Sequence, residues 1–166
     1  FIFFFFLLNI NAYSQENFAV VDIDFLINNS NIGKDIQKSI KIKNEKIING
    51  FEKKEKDYEE REKKIISQKN IISEEEFSKK VKELKKNIFE YNQKKKQSIQ
   101  NSQKKSNEAV AKLLSEINKI LVEFSKEKNL SFVIDKKNII LTKKNNEITK
   151  DILEIMNKKL DKIKVE

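Results

Sequence analysis

Lysines near the middle of the chain are the side chains with the most evident chemistry. Lys94, Lys95 and Lys96 are consecutive, and Lys104 and Lys105 follow shortly after. Only Glu108 offsets them between positions 92 and 108, so this stretch has a net charge of +4. Such a cluster attracts anionic partners through a long-range field that salt weakens. The alternative is a solvated helix surface without a partner.

Two kinds of anionic partner can be compared for this cluster, namely nucleic acid and anionic lipid or lipopolysaccharide. Nucleic-acid sites usually interleave basic residues with aromatic residues or glycine, and none of these occurs between positions 92 and 108. We therefore expect no nucleic acid. Anionic lipid or lipopolysaccharide fits better. The contact would be electrostatic only, because the cluster lacks the apolar face that inserts into a membrane.

The absence of two residue types excludes several kinds of chemistry. The sequence contains no histidine and no cysteine, so it can form no Ser-His-Asp triad, no Cys-His pair, no zinc site with these ligands and no disulfide. Asp22 and Asp24 could attract a metal ion, but aspartates in this arrangement more often end a strand and cap a helix. We expect no enzymatic activity, no metal and no cofactor.

Residues 1–14 resemble an export signal. Phe1 to Leu8 are consecutive apolar residues, and small residues stand two positions apart at Ala12 and Ser14. This pattern predicts the hydrophobic region and cleavage site of a signal peptide, although the usual basic segment before it is missing. The alternative is a strand or helix buried in the fold. The apolar run is too short for a transmembrane helix, which needs about 20 apolar residues. We expect a soluble exported protein that begins near Gln15.

A long proline-free stretch, residues 34–108, must position the lysines, and we name it the arm. It holds 22 lysine and arginine residues against 14 aspartate and glutamate residues, a net charge of +8. Ser73 and Glu76 form a capping box, which predicts that an outgoing helix ends at Ile72 and that a return helix begins directly after Ser73. Gly50 destabilises a helix by about 1 kcal/mol relative to alanine. The two interpretations are a flexible point in the arm and a residue without functional consequence.

The two predicted helices offer unequal apolar surfaces. The return helix has a continuous seam at Phe77, Val81, Leu84, Ile88 and Tyr91. On the outgoing helix, one heptad position holds Asn44, Phe51, Tyr58, Ile65 and Ile72, and the other holds Ile40, Ile47, Lys54, Arg61 and Gln68. Its outer half therefore has about one apolar contact per heptad, where a coiled coil normally has two. We expect a weakly held, flexible arm.

Short β-prone segments flank the arm. Phe18 to Ile23 is predicted to be a strand, with Asp24 capping a short helix, and residues 28–33 are predicted to form a turn that includes Gly33. Ser131–Asp135 and Asn138–Thr142 are predicted to form a hairpin, which would complete a three-stranded sheet.

A last helix, capped by Thr149, should follow this sheet. Its apolar face consists of Ile152, Ile155, Met156, Leu160 and Ile163. The apolar stretch from Ala109 to Phe124 extends beyond the root of the arm and must pack on these flanking segments. We call residues 15–33 and 109–166 the body. The predicted fold class is α+β, mostly α, with a long hairpin arm on a small sheet. Because such a sheet is marginal alone, we expect other subunits to complete it.

In this order, the segments resemble the Skp/OmpH family of periplasmic chaperones over essentially all of the sequence after the signal. The residues that match in combination are Phe18–Asp22, Ser30–Lys34, Ile72–Glu76, Phe132–Thr142 and Ile148–Ile152. The resemblance implies a homotrimer with three arms around a central cavity, which holds unfolded outer-membrane β-barrel proteins in the periplasm without ATP. It implies no catalytic motif. The alternative is a structural coiled-coil spacer or adaptor of the cell envelope.

Two sets of residues are candidates for these roles. The basic residues expected to face a client are Lys54, Arg61, Lys94, Lys95, Lys96, Lys104 and Lys105. The apolar residues expected to pack the body or the trimer are Phe18, Val20, Val21, Ile23, Leu113, Ile117, Leu121, Phe124, Phe132, Ile134 and Ile140.

Overall fold

Two long antiparallel helices dominate the fold. The computed structural model describes residues 17–160, so the predicted signal peptide and Ile163 lie outside the described residues. The elements in chain order are strand β1 (Phe18–Val21), helices α1 (Ile23–Asn29), α2 (Asn31–Ser67) and α3 (Glu74–Glu127), strand β2 (Phe132–Asp135) and helix α4 (Thr149–Lys159). The predicted fold class, mostly helical with a small sheet, is confirmed.

The hairpin of α2 and α3 turns where the capping signal predicted. The backbone N–H of Glu76 donates to the Ser73 hydroxyl at 3.2 Å, and three glutamates occupy the first turn of α3, where the helix dipole favours negative charge. At 1.5 Å per residue, α2 is about 56 Å long and α3 about 81 Å. The outgoing helix was predicted to end at Ile72, but α2 ends at Ser67, because residues 68–72 form the connecting turn.

The predicted turn at residues 28–33 is wrong. Ser30 alone separates α1 from α2, and its buried hydroxyl accepts from the N–H of Gly33 at 3.1 Å. Gly33 is helical and has no positive φ. A Cβ atom there would lie 1.8 Å from the carbonyl oxygen of Ile27, so glycine is needed for the close approach of two helices rather than for a turn.

The hydrophobic core lies where the root of the hairpin meets the short elements. Its members come from β1, all four helices and the residue before α4: Ala19, Val21, Leu26, Ile32, Ile36, Ala109, Leu113, Ile117, Ile120, Phe124, Ile148, Ile152 and Met156. The second half of α3 therefore packs mainly on other helices, with Val133 of β2 at the edge of the cluster.

The sheet differs from the prediction. It has two strands, and β2 lies parallel to β1 with Phe18 beside Phe132 and Val21 beside Asp135. The predicted hairpin is wrong, because β2 continues into a 3-10 turn at Lys136–Asn138 and residues 139–143 form no strand. On the other edge of β1, Val20 pairs with Glu147 in a single parallel bridge.

Two predicted caps are also wrong. β1 ends at Val21, so Asp22 rather than Asp24 caps α1 and accepts from the N–H of Phe25 at 2.8 Å. Thr149 is the first residue of α4 and does not cap it. Its buried hydroxyl instead accepts from the N–H of Asp22 at 2.9 Å, which ties α4 to the end of β1.

Candidate functional site

The inner part of the arm is held by polar contacts. Ser102 of α3 donates to the side-chain oxygen of Asn44 on α2 at 2.6 Å. Nearby, Ile47 is only half-buried and Ile99 is exposed. A helical pair gains most of its stability from buried apolar seams, and this region lacks one. The prediction that Asn44 occupies a seam position is confirmed.

An aromatic and charged cluster fastens the arm farther out. The ring of Tyr91, on α3, meets those of Phe51 and Tyr58, on α2, at centroid distances of 5.9 and 5.4 Å in edge-to-face geometry. The Tyr91 hydroxyl donates to the Glu55 carboxylate at 2.8 Å, and Lys95 binds the same oxygen of Glu55. We name these five residues the Tyr91 cluster.

The electrostatics of the Tyr91 cluster follow from its burial and its ion pair. Burial raises the pKa of Tyr91 to about 12, and the hydrogen bond to the Glu55 carboxylate acts in the same direction. The hydrogen bond from Lys95 holds the pKa of Glu55 below its usual value, and the bond from Tyr91 adds to this. The cluster is therefore intact at neutral pH, with Tyr91 protonated and Glu55 ionised.

Four of the seven predicted basic contacts already have partners within the arm. Lys95 belongs to the Tyr91 cluster. Lys54 and Arg61 lie 3.5 and 3.1 Å from the Asp57 carboxylate, and both stack over the Tyr58 ring. Lys104 lies 4.0 Å from Glu108. Exposed pairs of this kind are weak, so an anionic partner could compete for these lysines at small cost.

The other three, Lys94, Lys96 and Lys105, form no hydrogen bond or ion pair within residues 17–160. Lys94 and Lys105 share one open groove across the two helices. Lys43 and Lys46 of α2 line the same groove. The structure thus places lysines from both helices around one surface, while Lys96 lies outside the groove.

The comparison with known families decides the classification. A family model described as "Outer membrane protein (OmpH-like)" matches residues 17–156, which is most of the chain. The chain belongs to the OmpH-like family. No curated protein sequence matches it.

A solved structure resembles the fold of this OmpH-like chain. It is the crystal structure of an OmpH-like protein from Caulobacter crescentus CB15, a candidate outer-membrane chaperone, with a TM-score of 0.85. The match covers 91% of this chain and 89% of the other, at 11% sequence identity. At that identity, the likeness concerns the fold alone.

The predicted packing residues of the OmpH-like chain lie in three environments. Val20, Val21, Leu113, Ile117 and Phe124 are buried. Phe18, Ile23, Leu121 and Ile134 are half-buried. Phe132 is partly exposed although it stacks on Phe18 at 5.6 Å, and Ile140 is fully exposed.

Metal-ligand groups and membrane-spanning helices are both absent from residues 17–160. No group of three or more carboxylates between positions 17 and 160 is arranged to hold a metal ion. Over the same range, no helix is long and apolar enough to cross a membrane. The lysine-lined groove makes the arm surface the candidate site of the OmpH-like chain.

Sequence reasoning missed part of this surface. Lys43 and Lys46 were not among the predicted contacts, although they face Lys94 and Lys105 across the groove. A signal for them was available in the capping box. Contacting residues lie at equal distances from Ser73 along the chain, as Asn44 and Ser102 do, or Glu55 and Tyr91. Folding the sequence about Ser73 brings positions 41–52 opposite positions 94–105.

Proposed function

We propose that this protein is an ATP-independent holdase chaperone of the periplasm. In this proposal, a homotrimer holds unfolded outer-membrane proteins between its arms (residues 34–108), while residues 15–33 and 109–166 form the assembling body. Membership in the OmpH-like family supports a chaperone role, and the Caulobacter crescentus protein with the same fold carries a chaperone description.

The observation that carries the proposal is the charge of the arm and its placement. The arm contributes +8 of the formal net charge of +9, and lysines of both helices line one open groove. Three such arms around a cavity would focus a positive potential on a chain held between them. Anionic lipid or lipopolysaccharide at the membrane surface could meet the same lysines electrostatically.

The weak inner seam supports holding rather than tight binding. Polar side chains such as Asn44 and Ser102 join the helices there, with few apolar side chains to adhere to a client. Attraction would then come mainly from long-range charge, and the client would stay mobile. Release would need no nucleotide hydrolysis, because the client could leave to a partner that binds it more tightly.

The second candidate is a structural spacer of the cell envelope, since long charged helical hairpins also serve as spacers. An aggregation assay separates the two functions. An unfolded outer-membrane β-barrel protein is diluted from denaturant with and without one equivalent of assembled protein, in the absence of ATP. A holdase keeps the client soluble at this ratio. If the client aggregates equally with and without the protein, the holdase function is wrong and the spacer function is favoured.

A further inference from the structure

A chemically reactive pair of residues lies in the outgoing helix. Asn49 is the only asparagine of the sequence that is followed by a glycine, Gly50. In such a pair the backbone nitrogen of the second residue can attack the side-chain carbonyl of the asparagine, and glycine hinders this attack least because it has no Cβ atom. Both residues are exposed. The Asn49 side chain forms no hydrogen bond within residues 17–160, so its amide is free to rotate.

The helical conformation of α2 opposes this reaction. In an α-helix the N–H of Gly50 donates to the carbonyl of residue 46, which holds the Gly50 nitrogen away from the Asn49 side chain. The helix must therefore open locally before the two groups can meet. The rate of the reaction depends on the fraction of time for which this part of α2 is open.

The packing of α2 makes local opening easy at this position. Within the described residues of α2, none after Ile36 is buried, and Ile48 is 53% exposed. A Cβ atom placed on Gly50 would meet no atom within 4 Å, and glycine is among the least favourable residues inside a helix. The nearby contact between the helices is the polar one of Asn44 with Ser102. Segments with few buried apolar contacts open at a lower free energy than the whole fold.

We propose that Asn49 is a site of spontaneous deamidation. The Gly50 nitrogen forms a bond to the side-chain carbonyl carbon of Asn49, its proton passes to the departing amide nitrogen, and ammonia leaves. The product is a succinimide ring. Water then adds to either carbonyl of the ring and opens it, which gives aspartate or isoaspartate. One water is consumed and one ammonia is released, without oxidant or cofactor. The site is independent of the proposed holdase function.

Both products change the arm. Each places a negative charge beside Lys46 and Lys53, which lie three positions before and four positions after Asn49 on the same helix face. Lys46 lines the lysine groove, so the new carboxylate competes with an anionic partner for it. Isoaspartate also routes the backbone through the side chain and lengthens it by one atom. The hydrogen-bond ladder of α2 cannot continue across that atom, so the helix breaks between the core and the Tyr91 cluster.

Mass spectrometry of the protein, incubated at physiological temperature in slightly alkaline buffer, tests the proposal. Trypsin cuts after Lys46 and Lys53, and the peptide 47–53 contains no second asparagine and no glutamine. This peptide should gain one mass unit in two species, aspartate and isoaspartate, that chromatography separates. Asn101, which is exposed and followed by serine, is the comparator in the same sample and should react more slowly. A sample digested without incubation corrects for reaction during digestion.

Two variants separate the cause from its consequence. Gly50→Ala favours the closed helix, which alone should slow deamidation about 2–5-fold, and its Cβ atom hinders the attack further. Asn49→Gln keeps an amide but would have to form a larger and less favourable ring. This variant should keep its mass and its helical circular dichroism signal, whereas the incubated wild type should gain mass and lose helical signal.

The same incubation in urea gives the reaction rate of the unfolded chain. Local opening predicts that the folded chain reacts faster than this rate multiplied by the globally unfolded fraction, which urea unfolding measures. An unmodified peptide 47–53 in the folded chain, after the unfolded chain has reacted completely, would overturn the proposal. Equal rates for the wild type and Gly50→Ala would also overturn it. Isoaspartate formation with an unchanged helical signal would contradict the break in α2.

Discussion

The hydroxyl of Tyr91 on the return helix donates to the carboxylate of Glu55 on the outgoing helix at 2.8 Å. The two residues lie 36 positions apart in the sequence, and their contact fixes the register of the arm just beyond the inner stretch that lacks a buried apolar seam. The Phe51 and Tyr58 rings enclose Tyr91 from the side of α2. Edge-to-face aromatic pairs and charge-assisted hydrogen bonds add directional contacts that a single apolar residue per heptad cannot supply.

Substitution of Tyr91 should therefore weaken the arm. Tyr91→Phe removes the hydrogen bond and should reduce the free energy of unfolding by about 1 kcal/mol. Tyr91→Ala also removes the ring and should cost roughly 3 kcal/mol. Urea unfolding followed by circular dichroism measures both. Phe89→Ala is the control, because Phe89 is 64% exposed on the same helix. A loss for Phe89→Ala as large as that for Tyr91→Ala would contradict the role given to the cluster.

The contribution of Tyr91 to the stability of the folded chain should decrease at alkaline pH. Burial raises its pKa in the folded chain to about 12, above the ordinary value of about 10. The contribution to stability is therefore complete below about pH 10 and is lost as the pH rises toward about 12. Phe cannot ionise, so the stability difference between wild type and Tyr91→Phe should shrink over this window. Unfolding free energies of both proteins, measured from about pH 8 to about pH 11.5, test this. A difference that does not change with pH would be inconsistent with a buried, hydrogen-bonded Tyr91.

The two glycines should respond in opposite directions to alanine. Gly33→Ala places a Cβ atom 1.8 Å from the carbonyl oxygen of Ile27, so α1 and α2 must separate, and the free energy of unfolding should fall by about 1–3 kcal/mol or more. Gly50→Ala meets no atom within 4 Å and should raise it by about 0.5–1 kcal/mol. Thermal unfolding of both variants is the measurement. Undiminished stability of Gly33→Ala would show that the junction at Ser30 does not require close contact.

Local signals in the sequence predicted much of the helical structure. The capping box at Ser73 placed the turn of the arm, and the seam from Phe77 to Tyr91 identified the face of α3 that meets α2, with Leu84 and Tyr91 buried. These features depend on residues within a few helical turns. The local sequence therefore contains them.

Features that depend on distant contacts were predicted less well. Asp22 and Asp24 are equally suitable caps by type, and the choice depends on where β1 ends. Thr149 looks like a helix cap, but its hydroxyl accepts from the end of β1. Gly33 looked like a turn residue because the close approach of Ile27 is not visible in the sequence. The apolar run at Ile139–Leu141 reads as a strand but finds no partner in its own chain.

The candidate site was predicted in composition and only partly in geometry. The excess of lysine on the arm follows from the sequence alone. Lys54, Arg61 and Lys104 pair with carboxylates three or four positions away on the same helix. The pairing of Lys95 with Glu55 depends on the folded hairpin. Lys94 and Lys105 line the same groove, whereas Lys96, two positions after Lys94, does not, because residues two positions apart point in different directions around a helix.

Reversal of the unpaired arm charges tests the central claim most directly. Light scattering follows an unfolded outer-membrane β-barrel protein diluted into one equivalent of wild type or of the triple variant Lys94→Glu, Lys96→Glu, Lys105→Glu. A control, Lys112→Glu, Lys150→Glu, Lys158→Glu, makes the same change in net charge at exposed lysines outside the arm. We predict that wild type and control suppress aggregation at low ionic strength, that the arm variant does not, and that salt weakens suppression by the wild type. Equal suppression by both triple variants, unaffected by salt, would contradict capture by the basic arm.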